Sequence, residues 1–326
     1  MRDVRVVIVG DCMLDVYLTG DVRRISPEAP VPVVQVHGER TAPGGAANVA
    51  TSLRALGAEC RLLGVVGADA AGATLTAQLR AAGVGVDDLL ALAERPTTTK
   101  TRVMAQRHHV VRFDRESESD LPEAAARELG RRAVEALAWA DALVLEDYDK
   151  GACVPVVIRS SLEEARRRGL PSVADPKFRH FFEYAGVHVF KPNALELAAA
   201  LGVPAVPRDR EGLAAARTRG GGAYLLLTLG DEGMLLVAPD GEHERIPAVP
   251  RDVFDVSGAG DIVTATVAAC LAAQASESEA ARVANFAASV EVGKAGVAPV
   301  TPEEIVEAFE GERHRRDNLA LHEPGA

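Results

Sequence analysis

Short runs of aliphatic residues alternate along this chain with longer stretches in which small and apolar residues recur at helical spacing. The short runs predict strands at 4–9, 60–66, 142–145, 172–174, 187–190, 224–228 and 234–238. The longer stretches predict helices at 46–56, 70–82, 124–137, 154–168, 194–201, 259–273, 277–294 and 302–310. Strands that alternate with helices in this way form a doubly wound, mostly parallel sheet. We therefore expect an α/β fold with helices on both faces of the sheet.

Two segments, 16–36 and 97–114, break this pattern because polar and apolar residues alternate in them. Alternation predicts antiparallel strands that project from the main sheet, the second segment turning near His108 and His109. A flap of this kind at the edge of a sheet would form a lid over a ligand. We expect one domain over residues 1–311 that includes this lid, and a flexible tail at 312–326.

The chain's composition narrows the class of partner. Its 326 residues are 48% hydrophobic and carry a net charge of −11, which disfavours a nucleic-acid partner. The four cysteines are far apart in sequence, so they predict neither a disulfide framework nor a zinc site. No signal peptide is recognisable, and no apolar run reaches the ~20 residues of a membrane span. We expect a cytoplasmic protein with no membrane partner.

The heptapeptide Asp-Val-Ser-Gly-Ala-Gly-Asp at 255–261 directly precedes an apolar helix. Gly258, Ala259 and Gly260 leave backbone N–H groups uncovered at the positive end of the helix dipole, which favours an anion. Asp261 in the same turn could accept the proton of a hydroxyl during phosphoryl transfer. The alternative is a plain glycine-rich helix start with capping aspartates.

Polar residues also follow other predicted strands. Gly44, Gly45 and Asn48 belong to a second glycine-rich turn, where a ligand could approach the backbone and Asn48 could bond sugar hydroxyls. Asp15 follows the first strand at the edge where open α/β sheets bind ligands, and Asp147 follows a later strand. A tight turn or a helix cap remains the alternative at these positions.

Lys100 and Arg102 alternate within the second lid segment, so they face the same side of a strand. Two cations beside a sugar site could hold a substrate phosphate, with Arg112 as a third. A solvated edge strand that carries charge against aggregation is the competing interpretation.

Two further turns could contact a nucleotide. Asn193 and Glu196 lie three residues apart, which is the spacing of a capping box, and Glu196 could also hold a hydrated Mg²⁺. Thr228, Gly230 and Gly233 form a tight turn after a strand, and this turn could lie along the phosphates. Alone, it differs little from an ordinary turn.

Together, the turns at 44–48, 193–196, 228–233 and 255–261 occur in the order seen in ribokinase-like (PfkB) carbohydrate kinases, which this chain resembles. The resemblance implies a ribokinase-like fold with a small β-strand lid, ATP as phosphoryl donor, Mg²⁺ and a monovalent cation such as K⁺. It implies Asp261 as the base, amides 258–260 as the anion hole and Asp255 at the monovalent cation. It places Asn285 near the adenine.

Within this family the chain is similar to kinases that phosphorylate the anomeric hydroxyl of D-glycero-β-D-manno-heptose 7-phosphate on the path to ADP-heptose. Segments 10–15, 24–33, 99–102, 147–151 and 292–294 carry this likeness. Because no His-x-Gly-His motif of a nucleotidyltransferase is present, we expect a stand-alone kinase.

The chain departs from the family pattern at two positions. Ile262 stands where Thr is common, and Glu146 replaces a small residue, which leaves the exact sugar open. A kinase for another sugar, nucleoside or sugar phosphate, or a non-catalytic sugar- or nucleotide-binding regulator, remains as an alternative. The apolar alternation at Val31 and Val33 favours a homodimer formed through the lid strands.

Overall fold

The computed structural model describes residues 1, 3–105, 108–206, 208–294, 296 and 298–322, with side chains as far as Arg315. Its strands are β1 (Arg5–Gly10), β2 (Cys12–Ile25), β3 (Pro32–Gly45), β4 (Glu59–Leu63), β5 (Val65–Gly67), β6 (Leu90–Leu92), β7 (Thr98–Ala105), β8 (His108–Arg115), β9 (Ala142–Glu146), β10 (Ser172–Asp175), β11 (Val189–Phe190), β12 (Tyr224–Thr228), β13 (Met234–Val237) and β14 (His243–Ile246). Its helices are α1 (Ala46–Ala55), α2 (Ala70–Ala81), α3 (Glu123–Ala136), α4 (Pro155–Arg168), α5 (Ala194–Leu201), α6 (Arg210–Gly220), α7 (Ala259–Ala272), α8 (Glu277–Val292) and α9 (Pro302–His322).

The main sheet has eight strands in the order β14-β13-β12-β11-β10-β9-β1-β4. Neighbours from β4 to β12 run parallel, and β13 and β14 add an antiparallel edge. This confirms the predicted α/β class. Strands β6 and β14 and helix α6 were not predicted, because β6 has only three residues and the sequences of β14 and α6 are mostly polar.

Two apolar layers cover the sheet, one on each face. Leu53 of α1, Val267 of α7 and Ala284 of α8 belong to the first layer. Leu129 of α3 and Ile158 of α4 belong to the second. Strands buried on both faces need continuous apolar sequence, and this is why β1 and β9 read as unbroken aliphatic runs.

Local signals explain where several helices begin and end. Helix α8 starts with a capping box in which Ser276 and Glu279 exchange hydrogen bonds with each other's backbone. Helix α4 has Pro155 in its first turn and ends at Gly169 in the left-handed conformation. The last helix runs to His322, beyond the end predicted at 310, while residues 323–326 lie outside the described part of the chain.

The lid is a separate four-stranded sheet in the order β3-β2-β7-β8. Both predicted lid segments contribute to it. Their strands were expected to be antiparallel, and only part of the pairing is. Strands β2 and β7 run parallel, whereas β2–β3 and β7–β8 are antiparallel. The predicted second hairpin is present as the antiparallel pair β7–β8, and residues 106–107 between these strands lie outside the described part of the chain.

Candidate active site

Helix α7 begins at the carboxyl edge of the main sheet with uncovered backbone N–H groups. Gly258 is its N-cap with φ 87°, and a Cβ added there would lie 2.5 Å from Glu291 Oε1. Within the described residues, the N–H groups of Gly258, Gly260 and Asp261 donate to no other group, while that of Ala259 makes a long 3.4 Å bond to the carbonyl of Val256. An anion site of three amides is therefore available, with the amide of Asp261 in the place expected for Ala259.

Both carboxylate oxygens of Asp261 are held by neighbouring side chains. Asn48 Nδ2 donates to Oδ2 at 2.7 Å, and Tyr148 Oη donates to Oδ1 at 2.6 Å. Burial raises the pKa of Asp261 to about 6, against the lowering effect of these two bonds. A carboxylate with this pKa is mostly ionised at neutral pH and has lone pairs left for a substrate hydroxyl.

The loop that carries Tyr148 is held in place by Asp11. The backbone N–H groups of Tyr148, Lys150 and Ala152 all donate to the Asp11 carboxylate at 2.8–2.9 Å. Asp11 is buried, and burial raises its pKa. These bonds use its oxygens for the loop, so Asp11 positions Tyr148 against Asp261.

The structure turns Asp147 away from Asp261. Tyr184 Oη donates to its Oδ2 at 2.8 Å, and the backbone N–H of Asp149 donates to its Oδ1. Asp147 therefore stabilises the loop from the core side, and Tyr148 is the member of this pair that reaches the site. Tyr148 was not predicted as a site residue, although it stands next to Asp147 in the segment at 147–151.

A buried charge cluster lies beneath the anion site. Lys191 and Asp175 pair at 2.7 Å, and a Cβ added at Gly260 would meet them at 3.8 and 3.7 Å. Lys191 thus places a positive charge beside the uncovered amides. Glu146 lies in the same region, and burial, followed by the charges of Asp175 and Asp261, raises its pKa well above the usual value.

Asn193 and Glu196 form the capping box that their spacing predicts. Each donates its backbone N–H to the other's side chain at 2.8 Å. Lys177 Nζ donates to the remaining Glu196 oxygen, Oε1. Glu196 is thus buried and bonded within the protein, and an Mg²⁺ ion would have to be held through its other lone pairs or through water.

Thr228, Gly230 and Gly233 occupy the turn between β12 and β13. Thr228 forms a bridge with Asn193, which brings the two predicted phosphate turns together. Gly230 faces open space, whereas a Cβ at Gly233 would collide with the backbone of Ile246. A ligand can therefore lie next to Gly230. Position 233 needs glycine because a side chain there would not fit against β14.

Asn285, in the middle of α8, lies beside the end of β14, and Asp255 lies beside the end of α8. Asn285 Nδ2 donates to the Pro247 carbonyl at 2.9 Å and borders a cleft of about 1210 Å³. Asp255 accepts the N–H of Ser257 at 2.9 Å and donates its own N–H to the Val292 carbonyl at 3.2 Å. Asp255 thus adjoins the segment 290–296, of which residue 295 is not described.

The predicted sugar residues of the lid lie where it joins the domain. Gly44 packs on Asp15, whose Oδ2 would be 2.5 Å from a Cβ at Gly44, and Arg102 Nη1 donates to Asp15 Oδ1. Gly45 is the N-cap of α1, the helix that carries Asn48. Lys100 shares the lid face with Arg102 as predicted, but it is held between Asp114 at 3.3 Å and Glu116 at 3.4 Å.

The described residues offer neither a membrane-spanning helix nor a cluster of metal-binding side chains. No helix in the described ranges is both long enough and apolar enough to cross a membrane. Over the same residues, no group of three or more His, Cys, Asp or Glu side chains is arranged to hold a metal ion.

The chain matches known proteins over most of its length. Residues 3–304 match the model described as pfkB family carbohydrate kinase. Bifunctional protein HldE of Azorhizobium caulinodans is 43% identical over 324 residues, covering 98% of this chain, and HldE of Gluconobacter oxydans is 42% identical over 305 residues, covering 92%. This chain spans 66% and 63% of the length of those two proteins.

Solved structures share the fold at low sequence identity. Ribokinase from Arabidopsis thaliana, complexed with ribose and ATP, matches with a TM-score of 0.73 at 20% identity over 95% of this chain and 99% of that one. Phosphofructokinase-2 from Escherichia coli in complex with potassium matches with a TM-score of 0.78 at 19% identity over 96% and 100%. The family match over residues 3–304 shows that the chain belongs to the pfkB family of carbohydrate kinases, and the solved structures show that it has the ribokinase-like fold.

Proposed function

We propose that this chain transfers the γ-phosphoryl group of ATP to the anomeric hydroxyl of D-glycero-β-D-manno-heptose 7-phosphate. The observation that carries the proposal is the buried Asp261 at the start of α7, with uncovered amides in the same turn. A proton acceptor beside an anion site is what phosphoryl transfer to a hydroxyl requires.

The chain's own residues would act mainly by positioning and charge. Asn48 and Tyr148 orient the Asp261 carboxylate so that it can accept the proton of the attacking hydroxyl. The amides of Gly258, Gly260 and Asp261, together with Lys191, would stabilise the charge on the transferring group. In-line transfer needs little covalent help from the protein, so this placement would supply most of the acceleration.

Cation binding is part of the proposal. Glu196 and Asn193 supply oxygen donors next to Thr228, and this chemistry fits an Mg²⁺ ion that keeps most of its water. When bound, Mg²⁺ would neutralise phosphate charge. Asp255 and the carbonyls of 290–296 are the proposed ligands of a monovalent cation such as K⁺, and Asn285 would adjoin the adenine.

The choice of heptose 7-phosphate rests on segments 10–15, 24–33, 99–102, 147–151 and 292–294, which resemble those of heptose 7-phosphate kinases. It agrees with the likeness to HldE proteins. Asp15, Gly44, Gly45 and Asn48 would hold the sugar. We place the reaction in the cytoplasm, and we propose a homodimer formed through the lid, where Ile25 and other apolar side chains are exposed.

A substrate panel tests this function. ADP release is measured with C5–C7 sugars and their phosphates, and heptose 7-phosphate is expected to give the highest kcat/KM. Asp261→Asn should lower kcat by about 10²–10⁴ on the same substrate, because the proton acceptor is lost. ATP binding, measured by calorimetry, should change little.

Two results would contradict the proposal separately. A higher kcat/KM for another sugar would replace heptose 7-phosphate while leaving the kinase assignment in place. Retention of most of kcat by Asp261→Asn would remove Asp261 as the base.

A further inference from the structure

A row of three arginines and one tyrosine crosses the lid sheet. Tyr17 of β2 is paired with Arg40 of β3 on one side and with Arg102 of β7 on the other, and Arg102 is paired with Arg112 of β8. Residues paired across neighbouring strands project from the same face of a sheet. We call Arg40, Tyr17, Arg102 and Arg112 the arginine row.

Tyr17 is the centre of this row. Its ring lies 4.4 Å from the Arg40 guanidinium and 5.3 Å from that of Arg102, so both cations stack on it. The side chain is nine-tenths buried, yet its hydroxyl makes no hydrogen bond to any described residue. A buried hydroxyl without a partner, flanked by guanidiniums, is a hydrogen-bond donor available to an anion.

The charges of the row are only partly balanced. Arg102 pairs with Asp15, and Arg112 pairs with Asp114 at 3.2 Å. Arg40 makes no ion pair with any residue that the structure describes, although its guanidinium packs on Tyr17. The row therefore has fork-shaped donors in excess of its carboxylates, and guanidiniums suit phosphate oxygens in particular.

The arginine row is on the face of the lid that carries Asp15, and it lies farther from the glycine turn of the active site than Asp15 does. Tyr17 lies two positions along β2 from Asp15, or about 7 Å, and Asp15 contacts Gly44 of the turn that leads to Asn48. A Cβ added at Gly296, just after α8, would lie 2.6 Å from Arg40 Nη2. The opposite face of the lid packs on α2, where Gln78 Nε2 donates to Thr41 Oγ1 at 2.6 Å.

We propose that the arginine row binds a phosphate monoester carried by the sugar substrate at the end remote from the reacting hydroxyl. Arg40 and Tyr17 are the residues that this assigns beyond Arg102 and Arg112. The proposal rests on the proposed function in requiring a sugar acceptor that reaches Asp261. Asp15 lies between the arginine row and the glycine turn at 44–45. One sugar would span the distance from the row to that turn.

Steady-state kinetics of Arg40→Met test this assignment. With the phosphorylated sugar, KM should rise at least about tenfold while kcat changes less than about threefold, since a bond to a charged group is lost in ground and transition states alike. With the same sugar lacking that phosphate, KM should not change. Arg40→Lys should recover part of the affinity, because it keeps the charge without the fork.

Two further variants separate binding from folding. Tyr17→Phe removes only the hydroxyl and should raise KM for the phosphorylated sugar while keeping the stacked ring. Arg23→Met is the matched control, because Arg23 lies towards the far end of β2 with a side chain 76% exposed and pairs only with Asp21 among the described residues. Its kinetics should equal those of the unaltered protein.

The outcomes distinguish this inference from the proposed function. If another sugar phosphate proves to be the substrate, heptose 7-phosphate is wrong, but the Arg40→Met comparison on that substrate still decides the row. If no sugar is turned over, binding of inorganic phosphate is measured by calorimetry, and a Kd unaffected by Arg40→Met overturns the inference. Equal KM changes with and without the substrate phosphate overturn it as well.

Discussion

Tyr148 Oη donates a 2.6 Å hydrogen bond to Asp261 Oδ1, although the two residues are 113 positions apart in the chain. This bond lowers the pKa of Asp261 and opposes the burial that raises it to about 6. The proposed base is therefore tuned by a tyrosine that sequence motifs alone do not identify as a partner.

Tyr148→Phe should raise the pKa of Asp261, because the bond that stabilises the ionised carboxylate is removed. The acidic limb of the kcat/KM profile should move to higher pH, with a loss of about three- to tenfold near pH 6 that shrinks towards pH 9. Tyr184→Phe is the control, since it loses a buried bond to Asp147 without contacting Asp261. A Tyr148→Phe profile with an unmoved acidic limb would rule out this tuning.

Gly258 and Gly260 should respond in opposite ways to alanine. Gly258→Ala places a Cβ 2.5 Å from Glu291 Oε1 at φ 87°, so the free energy of unfolding should fall by about 1–3 kcal/mol. Gly260→Ala meets only ordinary contacts at 3.7 and 3.8 Å and should keep its stability. Its methyl group would nevertheless occupy the space beside the amides and lower kcat/KM.

Denaturant unfolding and kinetics on the same two preparations check this contrast. Equal losses of stability in both variants would mean that the space beside Gly260 is filled by the protein. Unimpaired turnover in Gly260→Ala would remove this turn from the anion site.

Glu146→Gln should make stability less dependent on pH. Both carboxylate oxygens of Glu146 are buried without a hydrogen bond to any described residue, and burial raises the pKa of Glu146 well above the usual value of a glutamate. A raised pKa in the folded state stabilises the protein fully below the unfolded-state pKa, and this contribution is lost as pH rises through the folded-state pKa. The variant should therefore gain stability relative to the unaltered protein between pH 5 and pH 8.

Unfolding free energies at the two pH values measure this effect. Glu242→Gln serves as control, because its side chain is 65% exposed in a surface pair with Arg210. A constant stability difference between Glu146→Gln and the unaltered protein from pH 5 to pH 8 would show that Glu146 is not protonated on folding.

The lid should mediate self-association if the proposed homodimer exists. Ile25 and Phe113 are 61% and 54% exposed on the lid strands. Charging both in Ile25→Lys/Phe113→Lys should convert a dimer into a monomer in light-scattering measurements, because buried lysines would lack partners. Val306→Lys on α9 is the control, with a similarly exposed apolar residue outside the lid. A monomeric unaltered protein at tens of micromolar would exclude the dimer.

Local pattern was sufficient to predict the main fold because its strands are buried on both faces and its helices carry clear apolar periodicity. Helix α1 was predicted within one residue, and the glycine turn before α7 was recognised from Gly258 to Asp261. The capping box of Asn193 and Glu196 was also evident from spacing alone. These features depend on residues close together in the chain.

Tertiary structure decided the features that depend on distant residues. Spacing could not show that Asp147 turns into the core while Tyr148 reaches Asp261, because Asp11 and Tyr184 set that choice. Nor could it show that Arg40 stacks on Tyr17, since only the register of the lid strands brings them opposite each other. The sequence by itself determined the elements and the turn that begins α7. Long-range hydrogen bonds and strand pairing determined which side chains surround that turn.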